Sequence, residues 1–385
     1  MKKIAYITGS RAEYGIMKRL LKKIDENKDI DLSIIATGMH TDKKYGETYK
    51  VIEKDGFKIE KLIDIEINTE NNSKILNSMS ICQKKFGEYF QNNKFDAIMI
   101  LGDRYEIFSV AIAAAIQNIP IIHLHGGEKT LGNYDEFIRH AITKMSKLHL
   151  ASTEVYKNRI IQMGENPKNV FNIGALGAEN SFKLNLLNKE ELVDRFGKIA
   201  KEYFVVVFHP ETITGVSLRE QVMNVLNSLD NFKDKYEFIF IGSNSDTGSE
   251  LIVELVKEYC NKNKFKYLIS VRPEEYLSLI KFSKGLIGNS SSGLIEVPSF
   301  KIPTINIGDR QKGRVRGETV IDVIANTKEI TQAIERAISF KFLKQLENTE
   351  NPYFRKNVVE EAYEIISQFL NSDRVHEIKE FYDIQ

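Results

Sequence analysis

Short runs of β-branched and other apolar residues recur along the chain, separated by stretches whose apolar positions repeat at helical spacing. In the first half these runs are IAYIT (4–8), LSIIATG (32–38), FDAIMILG (95–102), IPIIHLHG (119–126) and LHLAS (148–152). Between them MKRLLKKI after Gly15, ILNSMSICQKKFGEYF (75–90) and EIFSVAIAAAIQN (106–118) read as crossover helices. Near-continuous apolar strands alternating with helices predict a parallel sheet covered on both faces. One doubly wound α/β unit is the expectation.

After ALGAENSFKLNLLNKEEL the pattern starts again, with YFVVVFHP (203–210), EFIFIGSN (237–244), FKYLISV (265–271), GLIGNS (285–290) and PTINIG (303–308). A second α/β unit should follow the first. From Asn357 the tail reads as helical, first NVVEEAYEIISQFL and then HEIKEFYDI, and is expected to pack back across the molecule. Open α/β sheets bind ligands outside the carboxyl ends of their strands, and two such sheets facing each other make a cleft. The polar motifs all fall just after strands: GSRAEYG, GDRYE, HGGE, HPET, GSNSDTGS and GNSSSGLIE.

Length agrees with this division, since 385 residues exceed the size of one ordinary core and suggest two domains of roughly 150–200 residues. No apolar run approaches the roughly 20 residues that span a bilayer, and the five-residue apolar stretch behind the amino-terminal lysines is too short for a signal peptide. With 54 basic and 53 acidic residues there is no global field to attract nucleic acid, so an anionic ligand needs a local site. Two distant cysteines, Cys82 and Cys260, offer neither a disulfide framework nor a zinc site and fit a reducing cytoplasm.

The motifs suggest where that site is. GSRAEYG (9–15) sets Arg11 and backbone N–H groups at a helix start, where anions bind, but it lacks the G-x-G-x-x-G spacing of a nicotinamide dinucleotide fold. In GNSSSGLIE (288–296), small residues open the backbone at another helix start, and Ser290 and Glu296 offer a hydroxyl and a carboxylate, the latter suited to ribose hydroxyls. DRQKGRVRG (309–317) gathers Arg310, Lys312, Arg314 and Arg316, a set that suits a diphosphate. Asp103 stands at a strand end as an active-site carboxylate or a helix cap, and His209 follows a very apolar strand.

HLHGGEKTLGNYDEFIRH (123–140) is the densest stretch, holding three of the chain's seven histidines. Strand alternation puts His123 and His125 on one face. With Glu128 and Asp135 nearby they offer either a metal site or, as the better fit, acid–base groups that move protons to and from carbon. Asp135 and Glu136 at a helix start, one turn before Arg139 and His140, also suit pairing along that helix.

Taken in order, TGSRAEYG, TGMHTDKKYG, LGDRYEIFSVAIAA, HGGEKTLGNYDEFIRHAITKMSKLHL, VVVFHPET, FIGSNSDTGS and GNSSSGLIEVPS with INIGDRQKGRVRG resemble the hydrolysing UDP-N-acetylglucosamine 2-epimerases of bacterial sialic-acid biosynthesis. The resemblance runs from residue 1 to about residue 325, with a weaker echo in NPYF and FYDI. It implies two Rossmann-like domains of glycosyltransferase-B type facing across a cleft: residues 1–178, residues 179–355 holding the nucleotide, and residues 356–385 crossing back as helices. It implies a cytoplasmic homodimer that takes a UDP-sugar and needs no cofactor or metal. UDP leaves as the C2 proton is lost, giving 2-acetamidoglucal, and water adds to give N-acetylmannosamine.

Carried over residue by residue, the resemblance makes Asp103, Asp135, Glu128, His125 and His209 the catalytic set. It assigns Arg11, Arg104, Arg139, Asn244, Arg272, Ser290, Ser291, Ser292, Gly293, Glu296, Arg310 and Arg314 to the UDP-sugar. Many relatives carry glutamate two residues after the first histidine, where this chain has His125. Either Glu128 or His125 then fills that place. Other readings stay open: the same reaction on UDP-2,4-diacetamido-2,4,6-trideoxyglucose for legionaminic acid, a non-hydrolysing epimerase, a retaining glycosyltransferase, or a non-catalytic UDP-sugar sensor.

Overall fold

The computed structural model describes residues 1–211, 217–243 and 245–384. Seven strands make the first sheet: β1 (Lys2–Thr8), β2 (Ile30–Thr37), β3 (Ile59–Ile63), β4 (Ala97–Leu101), β5 (Ile121–Leu124), β6 (Leu148–Ala151) and β7 (Val170–Asn172). Six make the second: β8 (Tyr203–Val207), β9 (Glu237–Ile241), β10 (Lys266–Leu268), β11 (Leu286–Gly288), β12 (Thr304–Ile307) and β13 (Val320–Val323). All pairings are parallel. The orders are β3-β2-β1-β4-β5-β6-β7 and β10-β9-β8-β11-β12-β13, so strand order reverses between β1 and β4 and again between β8 and β11. At such a reversal the flanking loops diverge and leave a crevice.

The ten apolar runs are strands β1, β2, β4–β6 and β8–β12. The three strands that the pattern does not announce, β3, β7 and β13, lie at sheet edges, where a strand is buried less continuously and so reads as mixed sequence. Side chains alternate across the first sheet. Ile4, Tyr6 and Met99 pack with Met17, Leu20, Leu21 and Ile24 of the helix Arg11–Asp25, while Ala5, Ile7, Ile98 and Ile100 face Phe86, Val110 and Ile142 on the other side.

The helix Val358–Leu370 returns to the first unit, where Val358, Val359, Ala362, Ile366, Phe369 and Leu370 join the core beneath Arg11–Asp25. Its first N–H, from Val358, donates to Glu179 Oε1 at 3.1 Å. The last stretch corrects the expectation of a second helix. Residues 376–384 run without helix across the first unit: Lys379 donates to Ser146 O and Glu165, the Lys144 ammonium lies 4.8 Å from the Phe381 ring centroid, and Tyr382 N–H donates to Gly164 O at 2.9 Å. These anchors to another part of the chain replace a helix's own hydrogen bonds. Among the described residues, no helix is long and apolar enough to cross a membrane.

Candidate active site

The strand ends of the two units face a common cleft with a cavity volume of about 280 Å³. Its walls are the loops after β1, β4, β5, β8, β9, β11 and β12, as the two crevices require. The units touch beside it. Leu131 N–H donates to Lys312 O at 3.0 Å, Gly248 N–H to Thr69 O at 3.1 Å, and Arg104 Nη2 to Ser245 Oγ at 2.6 Å.

On the first unit's wall Asp103 follows Gly102 at the end of β4. It is not the cap of the next helix, Tyr105–Ile116, whose N-cap is Arg104. Instead its Oδ2 accepts from Arg139 Nε at 2.6 Å, with Arg139 Nη2 at 2.5 Å. Arg139 is fully buried, and its other donors go to Glu128 O at 2.8 Å, Thr130 Oγ1 at 2.7 Å and Glu136 Oε2 at 3.1 Å. It lies behind the cleft and not on it, so the expected ligand contact is instead a clamp on Asp103. Burial raises the Asp103 carboxyl, but Arg139, Arg314 and Arg310 outweigh it and hold the group below its ordinary value.

Asp135 opens the helix Asp135–Met145 and also lines the cleft. Burial, with the negative charges of Asp103 and Asp246, pushes its carboxyl up to about 7, and Arg310 at 3.9 Å only moderates this. Two neighbouring carboxyls are thus driven apart, one held ionised and one titrating near neutrality. The pairing along the helix is also present, since Glu136 accepts from His140 Nε2 at 3.2 Å. Glu128 contacts Arg314 Nη2 at 2.5 Å and accepts from Ser152 Oγ at 3.2 Å.

The histidine pair departs from strand alternation. His123 ends up fully buried, with Nε2 at 2.8 Å from Gly102 O and Nδ1 at 3.5 Å from Thr143 Oγ1, and it does not line the cleft. β5 stops at Leu124, and His125 adopts φ +61, a left-handed backbone that non-glycine residues seldom take. That twist turns the second ring into the cleft, so the two imidazoles do not present one shared metal face. Among the described residues, no group of three or more His, Cys, Asp or Glu is arranged to hold a metal ion.

The second unit's wall starts from a backbone clip. Asn289 Oδ1 accepts from His209 N–H at 2.7 Å and its Nδ2 donates to His209 O at 2.9 Å, tying the loop after β8 to the loop after β11. Gly288 makes this approach possible: its φ is +138, and a Cβ there would sit 1.9 Å from Val207 O. The His209 ring, 3.0 Å from Ser243 Oγ, is held well below its ordinary value by burial and by the charges of Arg310 and Arg104. Ser290, Ser291 and Ser292 line the cleft at the start of the short turn Ser292–Ile295, and Ser292 Oγ bonds the Tyr276 hydroxyl. Glu296 follows, raised by burial to about 7, its Oε2 buried without a hydrogen-bond partner.

Of the four cations in 309–317, Arg310 and Arg314 face the cleft. Lys312 pairs with Asp309 at 3.2 Å and Arg316 with Asp322, both away from it. Arg11 and Arg104 line the cleft, but the N–H groups of Gly9 and Ser10 are taken by Glu13 Oε2 at 2.7 and 2.9 Å in a capping box, so they do not await an anion. Arg272 is not on the cleft; its Nη2 contacts Asp55 of the first unit at 3.2 Å. Gly293 faces the sheet, where a Cβ would meet Thr304 Cγ2 at 2.6 Å, so its role is close packing and not ligand contact. Asn244 lies outside the described residues.

Sequence reading missed Glu13, Asp246, Tyr276 and Gln311, all on the cleft. Asp246 is buried between Arg104 at 3.8 Å and Arg310 at 3.6 Å. Its place in GSNSDTGS, directly after a strand, is the signal that marks it.

A family model described as UDP-N-acetylglucosamine 2-epimerase matches residues 22–367. The chain is 58% identical over 384 residues to the polysialic acid biosynthesis protein P7 of Escherichia coli, covering 100% of this chain and 98% of that protein. It is 42% identical over 344 residues to a hydrolysing GDP/UDP-N,N'-diacetylbacillosamine 2-epimerase of Campylobacter jejuni, covering 89% and 88%. A crystal structure of a Neisseria meningitidis UDP-N-acetylglucosamine 2-epimerase bound to its UDP-sugar superposes with a TM-score of 0.77 over 95% of this chain and 100% of that one. At 17% identity that likeness concerns the fold, two facing Rossmann-like units of glycosyltransferase-B type.

Proposed function

The chain belongs to the UDP-N-acetylglucosamine 2-epimerase family, and from that premise we propose that it is the hydrolysing form, converting UDP-N-acetylglucosamine and water to UDP and N-acetylmannosamine for sialic-acid biosynthesis. One observation carries the reading: Asp103 and Asp135 line one cleft, the first carboxyl held below its ordinary value by arginines and the second raised to about 7, next to arginines suited to a departing diphosphate. A sensor that only binds UDP-sugar has no use for such a pair. The names of the E. coli and C. jejuni relatives support the pathway and the hydrolysis respectively.

Arg310, Arg314 and His209 take the diphosphate, while Ser290, Ser291 and Glu296 take the uridine, with ribose hydroxyls donating to the unpartnered Glu296 Oε2. The C1–O bond breaks as UDP leaves, and ionised Asp103 accepts the C2 proton, giving 2-acetamidoglucal. Asp135, protonated part of the time near pH 7, returns a proton to C2 from the opposite face, and water adds at C1. Glu128 supports this chemistry through Arg314. A homodimeric, cytoplasmic enzyme divided at 1–178, 179–355 and 356–385 completes the reading.

The test is incubation with UDP-N-acetylglucosamine and no acceptor, followed by proton NMR. UDP and free N-acetylmannosamine should accumulate together. UDP-N-acetylmannosamine would mean the non-hydrolysing reaction, an acceptor requirement would mean a transferase, and turnover only of the trideoxy diacetamido sugar nucleotide would move the substrate to the legionaminic route.

A further inference from the structure

Resting on the proposed reaction, one proton movement lacks a group. Elimination needs a base at C2, and hydration needs an acid at C2 and a base for the water that attacks C1. Asp103 and Asp135 supply the two C2 functions. Glu128 Oε2 is occupied by Arg314 at 2.5 Å, and Oε1 accepts from Ser152 at 3.2 Å. His125 remains. Its ring lines the cleft, the residue is more than nine-tenths buried, and Nε2 has no hydrogen-bond partner. Nε2 is sealed from bulk solvent, and a buried ring nitrogen without a partner is costly unless a ligand or an ordered water meets it. The backbone points the same way, for the left-handed φ of +61 is what takes the ring off the strand and into the cleft.

We propose that His125 Nε2 holds and deprotonates the water that adds to C1 of the glycal intermediate, making this ring a catalytic group of the second half-reaction. The step balances. The C1=C2 pair takes a proton from a cleft carboxyl at C2, the water oxygen bonds to C1, and Nε2 takes the water's second proton. The imidazolium then passes that proton back to the carboxylate, restoring both groups. The surroundings suit a neutral ring that is briefly charged: burial and Arg314 keep it neutral at rest, while the Glu128 carboxylate stabilises the imidazolium.

The test separates the half-reactions. His125→Asn is the first variant, because asparagine tolerates a left-handed backbone; His125→Gly is the second, which leaves room for free imidazole. With UDP-N-acetylglucosamine, both should release UDP within about tenfold of the wild-type rate while 2-acetamidoglucal replaces N-acetylmannosamine as the main product. Supplied directly with 2-acetamidoglucal and UDP, His125→Asn should hydrate it at least about a hundredfold more slowly. Added imidazole should restore hydration to His125→Gly. An unchanged ratio of glycal to N-acetylmannosamine, or loss of UDP release in step with hydration, overturns the assignment. A wild-type enzyme that makes no N-acetylmannosamine would instead overturn the parent reading, so the two failures are distinct.

Discussion

On the first unit's side of the cleft the carboxyls of Asp103, Glu128 and Asp135 are already held by cations: Asp103 by Arg139 of the same unit, and Glu128 and, more loosely, Asp135 by Arg314 and Arg310 of the second. The second unit's side presents the hydroxyls of Ser290, Ser291 and Ser292 and a Glu296 carboxyl with one oxygen unpartnered. The two sheets follow the same strand order and place these groups at the same topological point. The contrast therefore comes from loop chemistry and not from fold. A wall whose charges are fixed beforehand is suited to moving protons, and a wall with open hydrogen-bonding groups is suited to gripping a nucleotide.

The largest expected effect breaks the first wall. Asp103→Asn should lower turnover by about 10²–10⁴-fold, the range for loss of a positioned proton-transfer group, while UDP binds nearly as before. Near wild-type turnover would remove Asp103 from the chemistry. On the other wall, Ser290→Ala with Glu296→Ala should weaken UDP by roughly 10–100-fold in titration calorimetry and leave kcat at saturating substrate within a few-fold. An unchanged Kd would end the division of labour between the walls.

The smallest effect concerns a buried carboxyl beside the first wall. Burial and the nearby charge of Glu106 push Glu13 up to about 8, against 4.5 for a free glutamate. Between those values the folded chain keeps a proton that the unfolded chain has lost, so stability falls as pH rises through this window. Glu13→Gln removes the penalty while its side-chain oxygen can still accept the Gly9 and Ser10 N–H groups. Thermal unfolding should show no gain at pH 4.5 and a rise of about 1–3 °C above pH 8. The same shift at both pH values would show that the carboxyl is not strained in this way.

Much of this architecture is legible in the sequence because apolar strands and post-strand polar motifs follow from local periodicity. Asp103, Asp135, His209, Ser290, Glu296, Arg310 and Arg314 are singled out in such motifs, and all seven line the cleft. What local pattern does not carry is which way a side chain turns once the units meet. Arg139 reads as a helix-face partner of Glu136, which it is, yet its Nε reaches Asp103, 36 positions earlier. Arg272 reads as a ligand arginine but is drawn to Asp55 on the other unit. His125 reads as a strand residue paired with His123 until the left-handed turn after β5 separates them. Asp246 escapes notice because its value lies in two arginines, one from each unit, that no spacing predicts.

The most direct test of the proton-moving wall is the fate of the C2 hydrogen. With UDP-N-acetylglucosamine in deuterated water, proton NMR should show N-acetylmannosamine carrying deuterium at C2, appearing in step with UDP. N-acetylmannosamine formed with its original C2 hydrogen retained, or UDP released beside unepimerised N-acetylglucosamine, would contradict proton abstraction by Asp103 and with it the account of the cleft.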